Sequence, residues 1–372
     1  MHRRLTVLQL LPALESGGVE RSTIEITQAL VAAGHRALVM SAGGRLVPAI
    51  EAAGGEHLTL AIGHKSLRTL GHVPKLARRI RRESVDIVHA RSRLPAWLGL
   101  WAIRCLPAAQ RPRFMTTMHG LNSASRYSAV MGYGDRVICV SQTVHDYLLR
   151  HYPRTDPGKL RVIPRGLDPA AFPRRAHPDR QARARVAAAH PALAGDGPLL
   201  LLPGRGTRLK GHADAIDLLQ ALRADGSDVR LWMPGARESG REAYMDELQA
   251  LARDRGVEAA LAMTPPTAAI ADAYAASDLV LQLSRKPEAF GRTVLEALAV
   301  GRPVLGWEHG GVGELLRRLQ PDGAVPVFDA AALAAAAAGL LSRPPPPAAT
   351  MPFTLQAMQD ATLAVYDELV PR

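Results

Sequence analysis

Residues 284–314 read SRKPEAFGRTVLEALAVGRPVLGWEHGGVGE, and this stretch decides the fold class. Just ahead of it, the run Leu279-Val280-Leu281-Gln282-Leu283 has the continuous hydrophobicity of a central parallel strand, and residues 293–300 have the spacing of the helix that follows. A second apolar strand, 303–307, runs into His309-Gly310-Gly311. Two neighbouring strands therefore end in glycine-bearing loops at one sheet edge, where open α/β folds bind ligands. Gly291, Arg292 and Thr293 fall in the first helical turn, whose N–H groups lack intrahelical partners and lie at the positive end of the helix dipole. An anionic group can dock there. Glu288 in the loop and Glu296 one turn into the helix set two hydrogen-bond acceptors beside those donors, which suits a ligand carrying both hydroxyls and phosphate.

A second loop points the same way. The short apolar strand 199–203 runs into Gly204-Arg205-Gly206-Thr207-Arg208-Leu209-Lys210-Gly211. Arg205 and Lys210 bracket the loop at the strand's end, a placement suited to neutralising a diphosphate. Other nucleotide motifs fail here. Gly206 and Gly211 have the outer spacing of a Walker A loop, but His212 stands at the lysine position and no Ser or Thr follows. Gly204-x-Gly206 begins a dinucleotide fingerprint, yet Leu209 replaces the third glycine. No Asp-x-Asp occurs, so no metal-holding pair of this kind is expected, and Arg205 and Lys210 must supply the positive charge.

At the N-terminus a strand at 5–11 leads through Ser16-Gly17-Gly18-Val19-Glu20-Arg21 into an amphipathic helix reaching about residue 33. Gly17 and Gly18 let the backbone approach a ligand closely, and they serve a structural turn equally well. His119 follows the strand 113–118, a position open to a capping, packing or binding role.

These strings together resemble the signature of retaining glycosyltransferases of the GT-B fold, glycosyltransferase family 4 (group 1) type. Glu288-Ala289-Phe290-Gly291 with Glu296 is similar to the family's E-[GA]-F-G loop and its second Glu eight positions on, residues 204–211 to its G-R-x4-K-G loop, and residues 16–21 to its S-G-G-x-E-R loop. The resemblance implies that Glu288 contacts hydroxyls of a donor sugar and Glu296 the ribose. It implies that Ala289, Phe290, Gly291, Arg292 and Thr293 line the donor site, that Arg205 and Lys210 hold the pyrophosphate, that Gly17 and Gly18 close over it, and that His119 hydrogen-bonds the sugar. Implied too are two Rossmann-like doubly wound domains facing an interdomain cleft, and reaction on one sugar face with the leaving phosphate taking the acceptor proton. One departure stands out: Arg165 occupies a position in Val162-Ile163-Pro164-Arg165-Gly166 where many members carry Asn.

The whole chain fits an α/β protein. Strands expected near 5–11, 36–41, 57–60, 85–89, 113–118, 136–141 and 160–164 alternate with helical stretches, giving an N-terminal Rossmann-like acceptor-side domain over 1–165. Residues 166–197, rich in Pro, Arg and Ala, read as a linker. Strands near 199–203, 229–233, 259–263, 279–283, 303–307 and 325–328 make a nucleotide-sugar domain over 198–350, and by resemblance the last segment, 351–372, is a helix crossing back to the first domain. At 372 residues and 47% hydrophobic content, two cored domains are affordable. Two cysteines, read as buried thiols, suit a reducing compartment, and no apolar run is long enough for a membrane span, so a cytoplasmic protein is expected. The net charge of +12 gathers in arginine clusters at 68–93 and 161–185. With aromatic content at 4%, nucleic acid is not expected as a partner. An anionic inner-membrane surface is, as is bare solubility.

The expected reaction is transfer of a sugar from a nucleoside-diphosphate sugar, a UDP-sugar favoured, to a hydroxyl of a glycan or glycolipid, without cofactor or metal. Phrases such as Ser284-Arg285-Lys286-Pro287-Glu288 look most like bacterial members that build lipopolysaccharide core or surface glycans. A sugar-nucleotide epimerase or hydrolase of the same fold, and a non-enzymatic basic scaffold, stay open.

Overall fold

A computed structural model describes residues 3–15, 17–347 and 350–370. The chain divides into two units, 1–166 with 355–372, and 167–354.

The first unit is a seven-stranded parallel sheet. Its strands are β1 (Thr6–Leu10), β2 (Arg36–Ser41), β3 (Glu56–Thr59), β4 (Ile87–Ala90), β5 (Arg113–Met118), β6 (Arg136–Cys139) and β7 (Leu160–Val162), in the order β3-β2-β1-β4-β5-β6-β7. The second unit is a six-stranded parallel sheet of β8 (Leu199–Leu201), β9 (Arg230–Pro234), β10 (Leu261–Thr264), β11 (Leu279–Gln282), β12 (Val304–Trp307) and β13 (Ala324–Val325), in the order β10-β9-β8-β11-β12-β13. Both are doubly wound Rossmann-like sheets. In each, strand order reverses at one point, between β1 and β4 and between β8 and β11, and such switch points are where loops splay apart to admit a ligand. All residues of β4, β8, β11 and β12 are buried, as parallel strands covered on both faces by helices must be. That burial is why these strands were readable as unbroken apolar runs.

Three expectations need correction. Of residues 166–197, read as a linker, all but Gly166 belong to the second unit and hold the helix Arg180–Ala189, whose Ala182 and Val186 are buried one turn apart. The last strand stops at Val325 rather than 328, because Pro326 has no N–H to continue the ladder and Phe328 turns the chain at φ 66°. Of the two thiols, Cys139 is buried, its ionisation pushed up to about 12 by burial, but Cys105 is exposed.

The C-terminal helix Leu355–Leu369 belongs to the first unit, burying Met358, Val365, Tyr366 and Leu369 against Leu5, Val7, Ile26, Ile87 and Met115. Tyr366 also makes a polar contact through the core. The ring of His89 on β4 lies between the Tyr366 hydroxyl at Nδ1 (2.8 Å) and Thr117 Oγ1 at Nε2 (2.7 Å). Complete burial, followed by the nearby Arg91 charge, holds the His89 pKa well below 6.5, so the folded protein keeps it neutral. The unfolded chain takes up this proton below its own pKa near 6.5 and the fold refuses it. Stability is therefore full above that pH and falls as the pH drops, by up to roughly 1 kcal/mol per pH unit for this one group. Urea unfolding at pH 7, 6 and 5 tests this: the slope should shrink by one proton in His89→Gln, and an unchanged slope contradicts the assignment.

Among the described residues, no helix is long and apolar enough to cross a membrane.

Candidate functional site

At the β8/β11 switch point, two loops from distant parts of the sequence interlock. Gly211, at φ 75°, ends the loop after β8, and a Cβ there would lie 2.1 Å from the Leu283 carbonyl oxygen, so only glycine lets the loop settle on the end of β11. The Arg285 N–H donates to the Leu209 carbonyl at 2.9 Å. This docking carries Lys210 onto Glu288, Nζ to Oε1 2.5 Å. The Ser284 hydroxyl donates to the same carboxylate oxygen at 2.5 Å, and its own N–H is held by Gln282 Oε1 at 3.2 Å. Burial raises the Glu288 pKa, but Lys210, by charge and hydrogen bond, and Ser284 outweigh it, and the net shift is downward. Glu288 is thus an anion with 24% of its side chain exposed.

The loop after β12 braces this arrangement from the other side. Gly311 donates its N–H to the Glu288 carbonyl at 2.7 Å, and a Cβ on it would sit 2.5 Å from both Cα and the carbonyl oxygen of Phe290. The His309 Nε2–H donates to the Ser284 carbonyl at 2.8 Å, which fixes its tautomer. Ser284, Gln282 and His309 were not picked out as site residues. The signal available was their position at the buried ends of β11 and β12.

The remaining predicted residues spread around this pair. Gly291 caps the helix Arg292–Val300 in the left-handed conformation and, having no side chain, makes no cap hydrogen bond of its own. Ala289 and Phe290 have buried side chains, Phe290 edge-on to Phe353 at 6.1 Å, so their side chains pack the loop and only their backbones can serve a ligand. Glu296 is buried and accepts from the Tyr274 hydroxyl at 3.1 Å. Arg205 is exposed, and among the described residues it has no side-chain partner. Arg292 and Thr293 are half-buried in the first helical turn. His212 is buried against Tyr244, its rings 6.0 Å apart, and burial lowers its pKa to about 4, so this neutral imidazole cannot substitute for a phosphate-binding lysine.

The first unit has its own polar centre at its switch point. Gly17 caps the helix Gly18–Ala32; Ser16 lies outside the described residues. Glu20 already places a carboxylate in the first turn, with Oε2 2.8 Å from where a Gly17 Cβ would be, so this helix end is less open to anions than its glycines imply. His119 stands half-buried just past β5. Beside it lies Arg91, directly after β4 and only 2% exposed, which the sequence had merged with the surface arginines. Arg165, 5% exposed, donates to the Ser22 hydroxyl at 2.8 Å and the Ile163 carbonyl at 2.9 Å, so the residue replacing the family's Asn ties the end of β7 to the helix after β1.

The family model for Glycosyltransferase Family 4 matches residues 16–171, and that for Glycosyl transferases group 1 matches residues 187–351. Residues 16–171 and 187–351 are thus each similar to a glycosyltransferase domain. It is 34% identical over 185 residues to a D-inositol 3-phosphate glycosyltransferase of Xylanimonas cellulosilytica, covering 49% of this chain and 43% of that protein. The chain spans less than half the length of the curated relatives it matches. Its fold is that of a glycosyltransferase from Rickettsia africae, with TM-score 0.86, 26% identity and full coverage of both chains. Anabaena HepE, solved in complex with UDP and glucose, shares the fold at TM-score 0.76 and 20% identity over 98% of this chain and 95% of that one. The two units thus have the Rossmann-like domains of the GT-B fold.

Proposed function

We propose that the protein is a retaining, metal-independent glycosyltransferase that moves a sugar from a nucleoside-diphosphate sugar, a UDP-sugar favoured, to a hydroxyl of a glycan or glycolipid acceptor in the cytoplasm. The observation that carries this reading is the Lys210–Glu288 pair at the β8/β11 switch point, where a cation suited to a diphosphate meets a carboxylate suited to sugar hydroxyls. Arg205, with no side-chain partner among the described residues, is the second phosphate ligand, and the first turn after Gly291 supplies N–H donors to the same charge. Glu296, oriented by Tyr274, takes the ribose hydroxyls. HepE's complex with UDP and glucose supports the choice of nucleotide. As diphosphate charge develops, these fixed donors stabilise it, and no cofactor or side-chain base is required: the acceptor hydroxyl attacks the sugar face from which the diphosphate departs, and the departing phosphate takes its proton. His119 is assigned to a sugar hydroxyl, and Gly17 and Gly18 to close backbone approach. Incubation with UDP-, GDP- and ADP-sugars tests the reading. UDP-sugar should raise the melting temperature, and UDP release should require an acceptor. Acceptor-independent release would favour an epimerase or hydrolase, and no response to any nucleotide a basic scaffold.

The acceptor is assigned to lipopolysaccharide core or a related surface glycan. The curated relatives named for D-inositol 3-phosphate favour a second reading, a phosphorylated cyclitol, and product analysis with each acceptor separates the two. Either acceptor is compatible with work at an anionic membrane. Leu67 and Leu70 are 86% and 43% exposed on the helix Leu67–Leu70, and the next helix, Val73–Arg82, exposes Lys75, Arg78, Arg81 and Arg82. Exposed apolar side chains beside a cationic helix fit a lipid surface, each nearby cation adding roughly 1 kcal/mol on anionic lipid. Binding to phosphatidylglycerol vesicles should fall steeply with salt and be weakened by Leu67→Asp. Equal binding to neutral vesicles removes the membrane reading.

A further inference from the structure

Arg91 occupies a position that no surface arginine could. It follows β4, which lies between β1 and β5 in the sheet, and its guanidinium is buried among groups from three neighbours. Nε and Nη2 both donate to Gln9 Oε1 on β1, at 2.9 and 2.5 Å. The Gln9 amide cannot turn round, because its Nε2 is committed to Thr27 Oγ1 at 2.9 Å and the Thr23 carbonyl at 3.3 Å. With two corners of the fork fixed, Nη1 is aimed at the end of β5, 3.4 Å from His119 Nε2, with the Ser22 hydroxyl at 3.5 Å.

A guanidinium has donors only, and a ring nitrogen facing one must present its lone pair, since two N–H groups meeting head-on would repel. We propose that Arg91 is a positioning residue that holds His119 in the tautomer protonated at Nδ1, making Nδ1–H the donor with which this imidazole meets a sugar hydroxyl. Burial brings the Arg91 pKa down only to about 10, so the side chain remains charged at neutral pH. The arrangement matches the way outer partners fix the orientation of functional histidines elsewhere. The tautomer follows from geometry alone, and its functional meaning rests on the proposed role of His119.

Nitrogen-15 NMR of histidine-labelled protein at pH 7.5 reads the tautomer without any turnover, the His119 signals being assigned by their loss in His119→Gln. The expected spectrum shows His119 neutral, with the proton on Nδ1 and Nε2 unprotonated. In Arg91→Met, checked for cooperative unfolding, the proton should move to Nε2, the site free imidazole favours. A wild-type Nε2–H, or a tautomer unmoved in Arg91→Met, overturns the proposal; the wild-type spectrum decides even if the variant does not fold. In acceptor-saturated assays Arg91→Met should lose about tenfold in kcat with an unchanged KM for the nucleotide sugar. A switched tautomer with full kcat would leave Arg91's control of the ring standing and overturn the assignment of His119 to the sugar.

Discussion

Arg205→Ala is expected to lower turnover about a hundredfold, the usual loss of roughly 3 kcal/mol when one oriented donor to a developing anion is removed, and the wild-type enzyme is expected to keep its activity in EDTA. Arg205 is exposed and has no side-chain partner among the described residues, so its deletion removes positive charge and little else. Arg205→Lys should recover only part of the rate, because a compact ammonium cannot reproduce the planar fork that grips two phosphate oxygens. Lys210→Met should lose as much and show a second signature. Without the ammonium, the upward push of burial on Glu288, the largest single influence on it, is opposed only by the Ser284 and Gln282 hydrogen bonds. The Glu288 pKa must rise, and the acid limb of the pH–rate profile with it, because the carboxylate form is then lost at higher pH than in the wild type. Arg205→Ala should leave that limb in place. Loss of all activity in EDTA, restored by magnesium or manganese, with Arg205→Ala near wild type, would show that a metal and not these side chains carries the leaving diphosphate.

The arginines show where sequence stopped being informative. Residues 68–93 and 161–185 looked like two uniform basic clusters, but Arg78, Arg81 and Arg82 are exposed whereas Arg91 and Arg165 lie within the first unit's interior. What separates them is position relative to β1, β4 and β5, and strand order in a parallel sheet is set by crossovers that no local pattern records. The strands were legible for the opposite reason: sheets covered on both faces need unbroken apolar runs, and these are local. The helix Arg180–Ala189 hid because it buries only Ala182 and Val186 among polar neighbours, too thin a stripe to stand out from a linker. The Glu288 and Lys210 motifs could each be read from residue type and spacing. Their direct contact, across 78 residues of sequence, required the register of two loops on adjacent strands.

That contact sharpens the expected result for Glu288. In Glu288→Ala, turnover should fall by roughly a hundredfold to a thousandfold, since a charged acceptor positioned for the sugar is lost along with its share of transition-state stabilisation. Binding of free UDP should nonetheless hold or tighten. Lys210 spends part of its charge on Glu288 in the unliganded protein, and removing the carboxylate leaves the ammonium wholly available to the diphosphate, while relieving repulsion between two anions at close range. Glu288→Gln, which keeps the shape but not the charge, should show the same tightening with a similar loss of rate. Glu296→Ala should do the reverse: it deletes a buried acceptor held by Tyr274, and the loss of a hydrogen bond to a charged group, about 2 kcal/mol, corresponds to UDP affinity weakened more than tenfold. Calorimetric titration of UDP into the three variants decides the matter. If Glu288→Ala and Glu296→Ala lose UDP affinity equally, the two carboxylates do not divide the ligand between sugar and nucleotide, and the Lys210–Glu288 pair is a structural clamp on the loops rather than the meeting point of phosphate and sugar.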